Sequence, residues 1–175
     1  SRSTMNIAFL DVGYHGTGAR AACVVADSWT ADNPVASYVA DIAAVDEYEP
    51  GAFYRRELPC LLRVLALLPA PPDVVVIDGY VWLSDQPKPG LGAHLYQALE
   101  RRFPVIGVAK TAFHGVDDCA LVSRVVRGSS EKPLYVSATG VDLSVAAGLV
   151  REMAGPYRIP SLLTITDQLS RSDVQ

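Results

Sequence analysis

Asp73-Val74-Val75-Val76-Ile77-Asp78-Gly79 is the stretch on which the fold turns. An unbroken β-branched run between two acids, closed by glycine, predicts a strand covered on both faces, as central parallel strands are. Upstream, Phe53, Leu58, Leu61, Leu62, Val64, Leu65 and Leu68 recur at helical spacing after Pro50-Gly51. That face ends before Pro69 and Pro71-Pro72. Further back, Met5 to Val12, Ala21 to Ala26 and part of Pro34 to Val45 read as three strands separated by turns without helices, an antiparallel meander. Downstream, a loop over Ser84 to Gly92 precedes a short helix, Ala93 to Arg102, and a second buried strand, Val105 to Ala109. Cys119 to Val126 and Leu134 to Ser137 predict a hairpin turned around Arg127 to Ser130. Asp142 stands as N-cap of a helix running to about Met153, and Ser161 to Ser170 predict a last helix.

Three leading strands, a helix, then alternating strands and helices describe an α/β protein. Its mixed sheet combines the antiparallel three-strand meander with parallel strands and is flanked by helices, the order of the ribonuclease-H-like fold. The 175 residues suit one domain with a substantial core. The four residues before Met5 are expected to be a disordered or expression-derived start to this domain of residues 1–175. No apolar run reaches the roughly 18 residues of a membrane span, so no membrane partner is expected. Cys23, Cys60 and Cys119 are isolated in apolar surroundings and read as core residues in a reducing compartment, which points to the cytoplasm. His15, His94 and His114 offer no zinc spacing. A monomer is expected, since no apolar surface stripe stands out. The net charge of −4 argues against strong non-specific binding to nucleic acid, yet a site built of carboxylates is itself negative without its cations.

Asp11 and Asp78 end buried strands. If those strands are parallel neighbours, both carboxylates emerge at one sheet edge, where α/β proteins place their sites. Glu57 interrupts the apolar helical face that leads into the Asp78 strand. Three hard oxygen ligands suit Mg²⁺, with Mn²⁺ able to substitute, and such ions assist displacement at phosphorus. Any one of these acids alone is more readily a turn former or cap. Lys110 ends the next strand and serves equally as a charge partner for a phosphate or as an ordinary strand-end lysine. Arg124, Arg127 and Lys132 flank the hairpin, which reads more readily as solvated than as a phosphate contact. Tyr48 and Pro50 form a turn able to wedge into a base stack, or a plain loop.

The motifs resemble those of the endonuclease V family, in family order, from about Met5 to Arg171. Asp11-Val12-Gly13-Tyr14 is similar to D-V-A-Y. Tyr48 through Pro59 follows Y-I-P-G-x-x-x-F-R-E-x-P without a gap. Pro72 through Gly79 matches P-D-x-x-x-x-D-G, and Ile106-Gly107-Val108-Ala109-Lys110 matches I-G-V-A-K. Gly90-Leu91-Gly92-Ala93-His94, Pro133 through Ser137, and Tyr157-Arg158-Ile159-Pro160 with Asp167 and Leu169 complete the series. The resemblance implies a catalytic metal on Asp11, Glu57 and Asp78, with Lys110 at the reacting phosphate. It further implies a strand wedge at Tyr48 and Pro50 and a pocket for a flipped base at Gly51, Phe53, Gly90, Leu91 and His94. The implied reaction is hydrolysis one nucleotide 3′ of a deaminated adenine in DNA or RNA, leaving 3′-hydroxyl and 5′-phosphate ends.

Two departures stand out. Val81-Trp82-Leu83-Ser84-Asp85 replaces G-x-x-H-P, and Ala138-Thr139 replaces G-H, so two family histidines are missing, the second expected near the metal. Asp142 is a candidate fourth carboxylate ligand. The departures leave two alternatives open, a nucleic-acid-binding relative with little turnover and a nuclease with an altered, structure-specific substrate.

Overall fold

The computed structural model describes residues 5–45, 47, 49–50 and 54–172. In chain order the strands are β1 (Ile7–His15), β2 (Gly18–Ala26), β3 (Ala36–Ile42), β4 (Val74–Asp78), β5 (Val105–Ala109), β6 (Ser123–Val125) and β7 (Leu134–Thr139). The helices are α1 (Tyr54–Leu65), α2 (Leu91–Ala98), α3 (Leu143–Glu152) and α4 (Ser161–Arg171). The strands form one mixed sheet in the order β3-β2-β1-β4-β5-β7-β6. The meander β1-β2-β3 is antiparallel, β1, β4 and β5 are parallel, and β7 and β6 return antiparallel. This is the ribonuclease-H-like arrangement that the strand order predicts.

Side-chain alternation along the central strands divides the core into two layers. Ala8, Leu10, Val75 and Ile77 pack with Cys60, Leu61, Val64 and Leu95 of α1 and α2. Ile7, Phe9, Val74 and Val76 pack with Ala146, Val150, Leu162 and Leu163 of α3 and α4. Asp11 and Asp78 continue the second series and therefore open toward α4. Cys23, Cys60 and Cys119 are buried and unpaired, as their surroundings predict.

Several boundaries differ from the pattern: β2 starts at Gly18, α2 spans Leu91–Ala98, and β6 is confined to Ser123–Val125; the difference that bears on the site is in β1. β1 does not end at Val12 but continues to His15, because Gly13, Tyr14 and His15 pair with Arg20, Ala19 and Gly18 of β2. The turn falls instead at Gly16, whose φ of +62° favours glycine. Asp11 is thus a mid-strand residue, not a strand end. It lies one position past Leu10, which pairs with Ile77 at the end of the β1–β4 ladder.

Gly13 sets how closely α4 approaches this strand. A Cβ built there would lie 2.2 Å from the carbonyl oxygen of Ser170, which also accepts a hydrogen bond from His15 Nε2 at 2.9 Å. Gly13→Ala is expected to push the end of α4 outward and to destabilise the fold by about 1–3 kcal/mol. Urea unfolding measures this, and an unchanged midpoint would show that α4 yields without loss.

Candidate metal centre

The parallel register that pairs Leu10 with Ile77 sets Asp11 beside Asp78. Glu57, although exposed to only 8%, reaches the same place from the other layer, on the first turn of α1. These three acids and Asp167 of α4 line a cleft of about 470 Å³, together with Tyr14 and Arg171. Lys110 follows β5 directly, and its Nζ lies 3.2 Å from Asp78 Oδ2. Lys110, Asp11 and Asp78 also share a smaller recess closed by Leu163 and Thr166 of α4.

Burial and mutual repulsion make this a strained set of anions. Asp11 is pushed up to about 7, first by burial and then by the Asp78 charge, with the Val12 N–H (2.9 Å) offsetting part of the rise and Asp167 adding to it. Glu57 rises to about 8, again first by burial, then by Asp11. The Tyr14 hydroxyl and the Arg56 guanidinium pull it partly back. The Arg56 guanidinium lies 3.8 Å from the centroid of the Tyr14 ring, which packs this corner of the cleft.

Such a donor set fits a hard divalent cation. Among the described residues, no trio of His, Cys, Asp or Glu closes on one point as a preformed cage would. Mg²⁺ does not ask for one, since it keeps several waters and takes one or two carboxylates at a time. Carboxylates that raise one another's proton affinity in its absence gain most from its charge.

Residues 1–168 match the family model described as Endonuclease V. The chain belongs to the endonuclease V family. It is 34% identical over 183 residues to the Azotobacter vinelandii endonuclease V, covering 94% of this chain and 81% of that protein. The crystal structure of endonuclease V from Streptomyces avermitilis superposes with a TM-score of 0.75 at 28% identity, over 96% of this chain and 80% of that one. The Ciona intestinalis endonuclease V, solved with a 24mer DNA containing an inosine followed by a ribo-adenosine, shares the fold with a TM-score of 0.77 at 20% identity, covering 96% and 84%. The chain is therefore an endonuclease by family.

The structure brings Asp11, Glu57, Asp78 and Lys110 together. Asp142 is not among them. β7 runs antiparallel to β5, so Thr139 pairs with Val105 at the far edge of the sheet, and Asp142 is an exposed residue beyond it. The exchange at Thr139 lies at that same far edge and leaves the cleft untouched. The fourth carboxylate is Asp167, to which no role was assigned. Its signal was the one that marked Glu57, an acid set among the inward residues Leu163, Thr166 and Ser170 of an amphipathic helix.

Ser84, in the place of the other missing histidine, caps a local turn, its Oγ accepting from the Lys88 N–H at 3.2 Å. Gly90 and Leu91 are buried at the start of α2. His94 stacks on Tyr54 with ring centroids 3.5 Å apart at 12°, which joins α2 to the beginning of α1. None of the three lines the carboxylate cleft. Pro50 occupies an exposed turn, and Tyr48, Gly51 and Phe53 lie outside the described residues. Arg127, far from solvated, is 6% exposed and holds backbone carbonyls. Among the described residues no helix is long and apolar enough to cross a membrane.

The raised proton affinities of Asp11 and Glu57 make the metal-free protein pH-sensitive. Below about pH 4 both are protonated, folded or unfolded, and the fold carries no penalty. As the pH rises toward 8 the unfolded chain releases these protons first, so stability falls and then levels once both have ionised in the fold. In chelator, thermal unfolding should drop from pH 5 to pH 8. Saturating Mg²⁺ or Mn²⁺ should flatten the decline, and Asp11→Asn should melt above wild type at pH 8 without metal. A flat metal-free profile would contradict the electrostatic account.

Proposed function

We propose that this endonuclease hydrolyses the phosphodiester one nucleotide 3′ of a deaminated adenine, deoxyinosine in DNA or inosine in RNA, with Mg²⁺ as cofactor and Mn²⁺ able to replace it. The observation that carries the reading is the convergence of Asp11, Glu57, Asp78 and Asp167 on one cleft, with Lys110 beside Asp78. Bound there, a divalent ion would polarise the phosphate and lower the pKa of an attacking water.

The chain's own residues do the rest. Asp11 and Asp78, fixed in register on adjacent parallel strands, would hold the cation, while Glu57 and Asp167 close the cleft from the two helical layers. Lys110 offers a positive charge where a non-bridging phosphate oxygen would otherwise meet only carboxylates. Water forms the new bond to phosphorus, the 3′ oxygen departs with a proton, and the downstream strand keeps the 5′-phosphate. By resemblance, Tyr48 and Pro50 part the strands, and Gly51, Phe53, Gly90, Leu91 and His94 surround the flipped base. The stack of His94 on Tyr54 supports that assignment by bringing α2 against the start of α1.

Cleavage of 5′-labelled single-stranded DNA and RNA, each with one inosine, tests the reading in Mg²⁺ and in Mn²⁺. The expected product ends one nucleotide beyond the inosine, and Asp78→Asn abolishes it while the protein stays folded. Divalent-dependent cutting that survives Asp78→Asn would exclude this centre. A cut indifferent to inosine would move the assignment to a structure-specific substrate.

A further inference from the structure

Lys110 carries its charge on a flexible four-carbon stem, so the placement of its backbone decides where the ammonium can reach. The β5–β7 ladder ends one residue short of it, at the pair Ala109–Tyr135. Beyond that pair one guanidinium takes over. Arg158 Nη2 donates to the Lys110 carbonyl at 2.5 Å and to the Pro133 carbonyl at 2.9 Å, and its Nε donates to the Lys132 carbonyl at 3.1 Å. The segment leaving β5 is thereby tied to the segment entering β7, where no strand pairing remains to do it.

Arg158 is itself held. It lies in the connection between α3 and α4, and the buried Arg127 grips that connection from beneath. Arg127 Nη2 donates to the carbonyls of Met153 (2.5 Å) and Gly155 (3.1 Å), and Nη1 donates to those of Tyr157 (3.0 Å) and Arg158 (3.3 Å). Two planar forks thus stand in series behind one lysine, and each bonds only backbone oxygens in these contacts. Such carbonyls are fixed by the chain's path, so the pair transmits position rather than charge.

We infer that Arg158 is a positioning residue for Lys110, with Arg127 fixing Arg158 in turn. The inference rests on the role given to Lys110 above. Displacing a reacting group by about 1 Å costs on the order of a hundredfold in rate. Losing the fork should therefore appear in kcat rather than in KM.

The test is a double-mutant cycle read in two ways. Arg158→Ala and Arg158→Gln are made in the wild type and in Lys110→Ala, with folding checked by circular dichroism, so that Arg158→Gln serves if the alanine variant does not fold. In Mn²⁺, Arg158→Ala is expected to lower kcat roughly 10- to 100-fold with KM within about twofold. In the Lys110→Ala background the further loss should be under about twofold. Separately, labelling by an amine-directed reagent, followed by mass spectrometry in chelator, should run severalfold faster at Lys110 in the Arg158 variants, with Lys88 as the internal reference. Equal losses in both backgrounds, or unchanged labelling of Lys110, would overturn the inference. If the wild type cuts no inosine-containing strand, the substrate reading fails and the labelling alone decides this one.

Discussion

The parallel pairing of β1 with β4 is the constraint from which the centre follows. Four residue pairs, from Ile7–Val74 to Leu10–Ile77, bury apolar side chains alternately on the two sheet faces. Once that register is set, Asp11 and Asp78 are carried onto neighbouring strands, on one face, at the place where the apolar run stops. Neither acid can leave without turning every buried residue of its strand to the wrong layer. The hydrophobic core thus holds two anions together against their repulsion. Glu57 and Asp167 are brought in by helices whose apolar faces pack on the same strands.

Elements whose fate depends on their own residues were legible in the sequence. The uninterrupted runs Val74 to Ile77 and Val105 to Ala109 admit burial on both faces, and β5 has the predicted bounds. Asp11, Glu57 and Asp78 stand out in the sequence because each breaks an apolar pattern. What could not be read was set by partners. Gly13-Tyr14-His15-Gly16 has the composition of a turn, yet pairing with β2 extends β1 through most of it. Asp142 does take the N-cap position of α3, but the antiparallel return of β7 sends it to the opposite edge, away from the other carboxylates. Asp167 lies only a few turns of chain further on, at the right edge, because α4 crosses back over β1. Tyr48, Gly51 and Phe53 lie outside the described residues.

The arginines divide in a way that charge alone does not anticipate. A hairpin arginine in a nucleic-acid enzyme invites a phosphate, but Arg127 is occupied by four carbonyls under the α3–α4 connection. Arg56 instead spends its face on Tyr14 at the rim of the cleft. In the proposed reaction an acidic protein whose site is itself anionic would depend on its cations, and on Lys110, to draw phosphate in.

That dependence makes the exact location of one ammonium group matter more than the number of basic residues. A lysine stem cannot supply such precision, and a strand can supply it only as far as its ladder runs. β5 ends at Ala109, one residue too early. The guanidinium of Arg158 satisfies carbonyls on both sides of that gap in a single rigid plane, which neither a water nor an ammonium would do with the same geometry. In this register the next pair would set Lys110 against Leu134, already the first residue of β7, and the pair after it would reach Pro133. Proline at 133 has no N–H to give to such a pair. A side-chain fork aimed at carbonyls is the solution left open to this backbone.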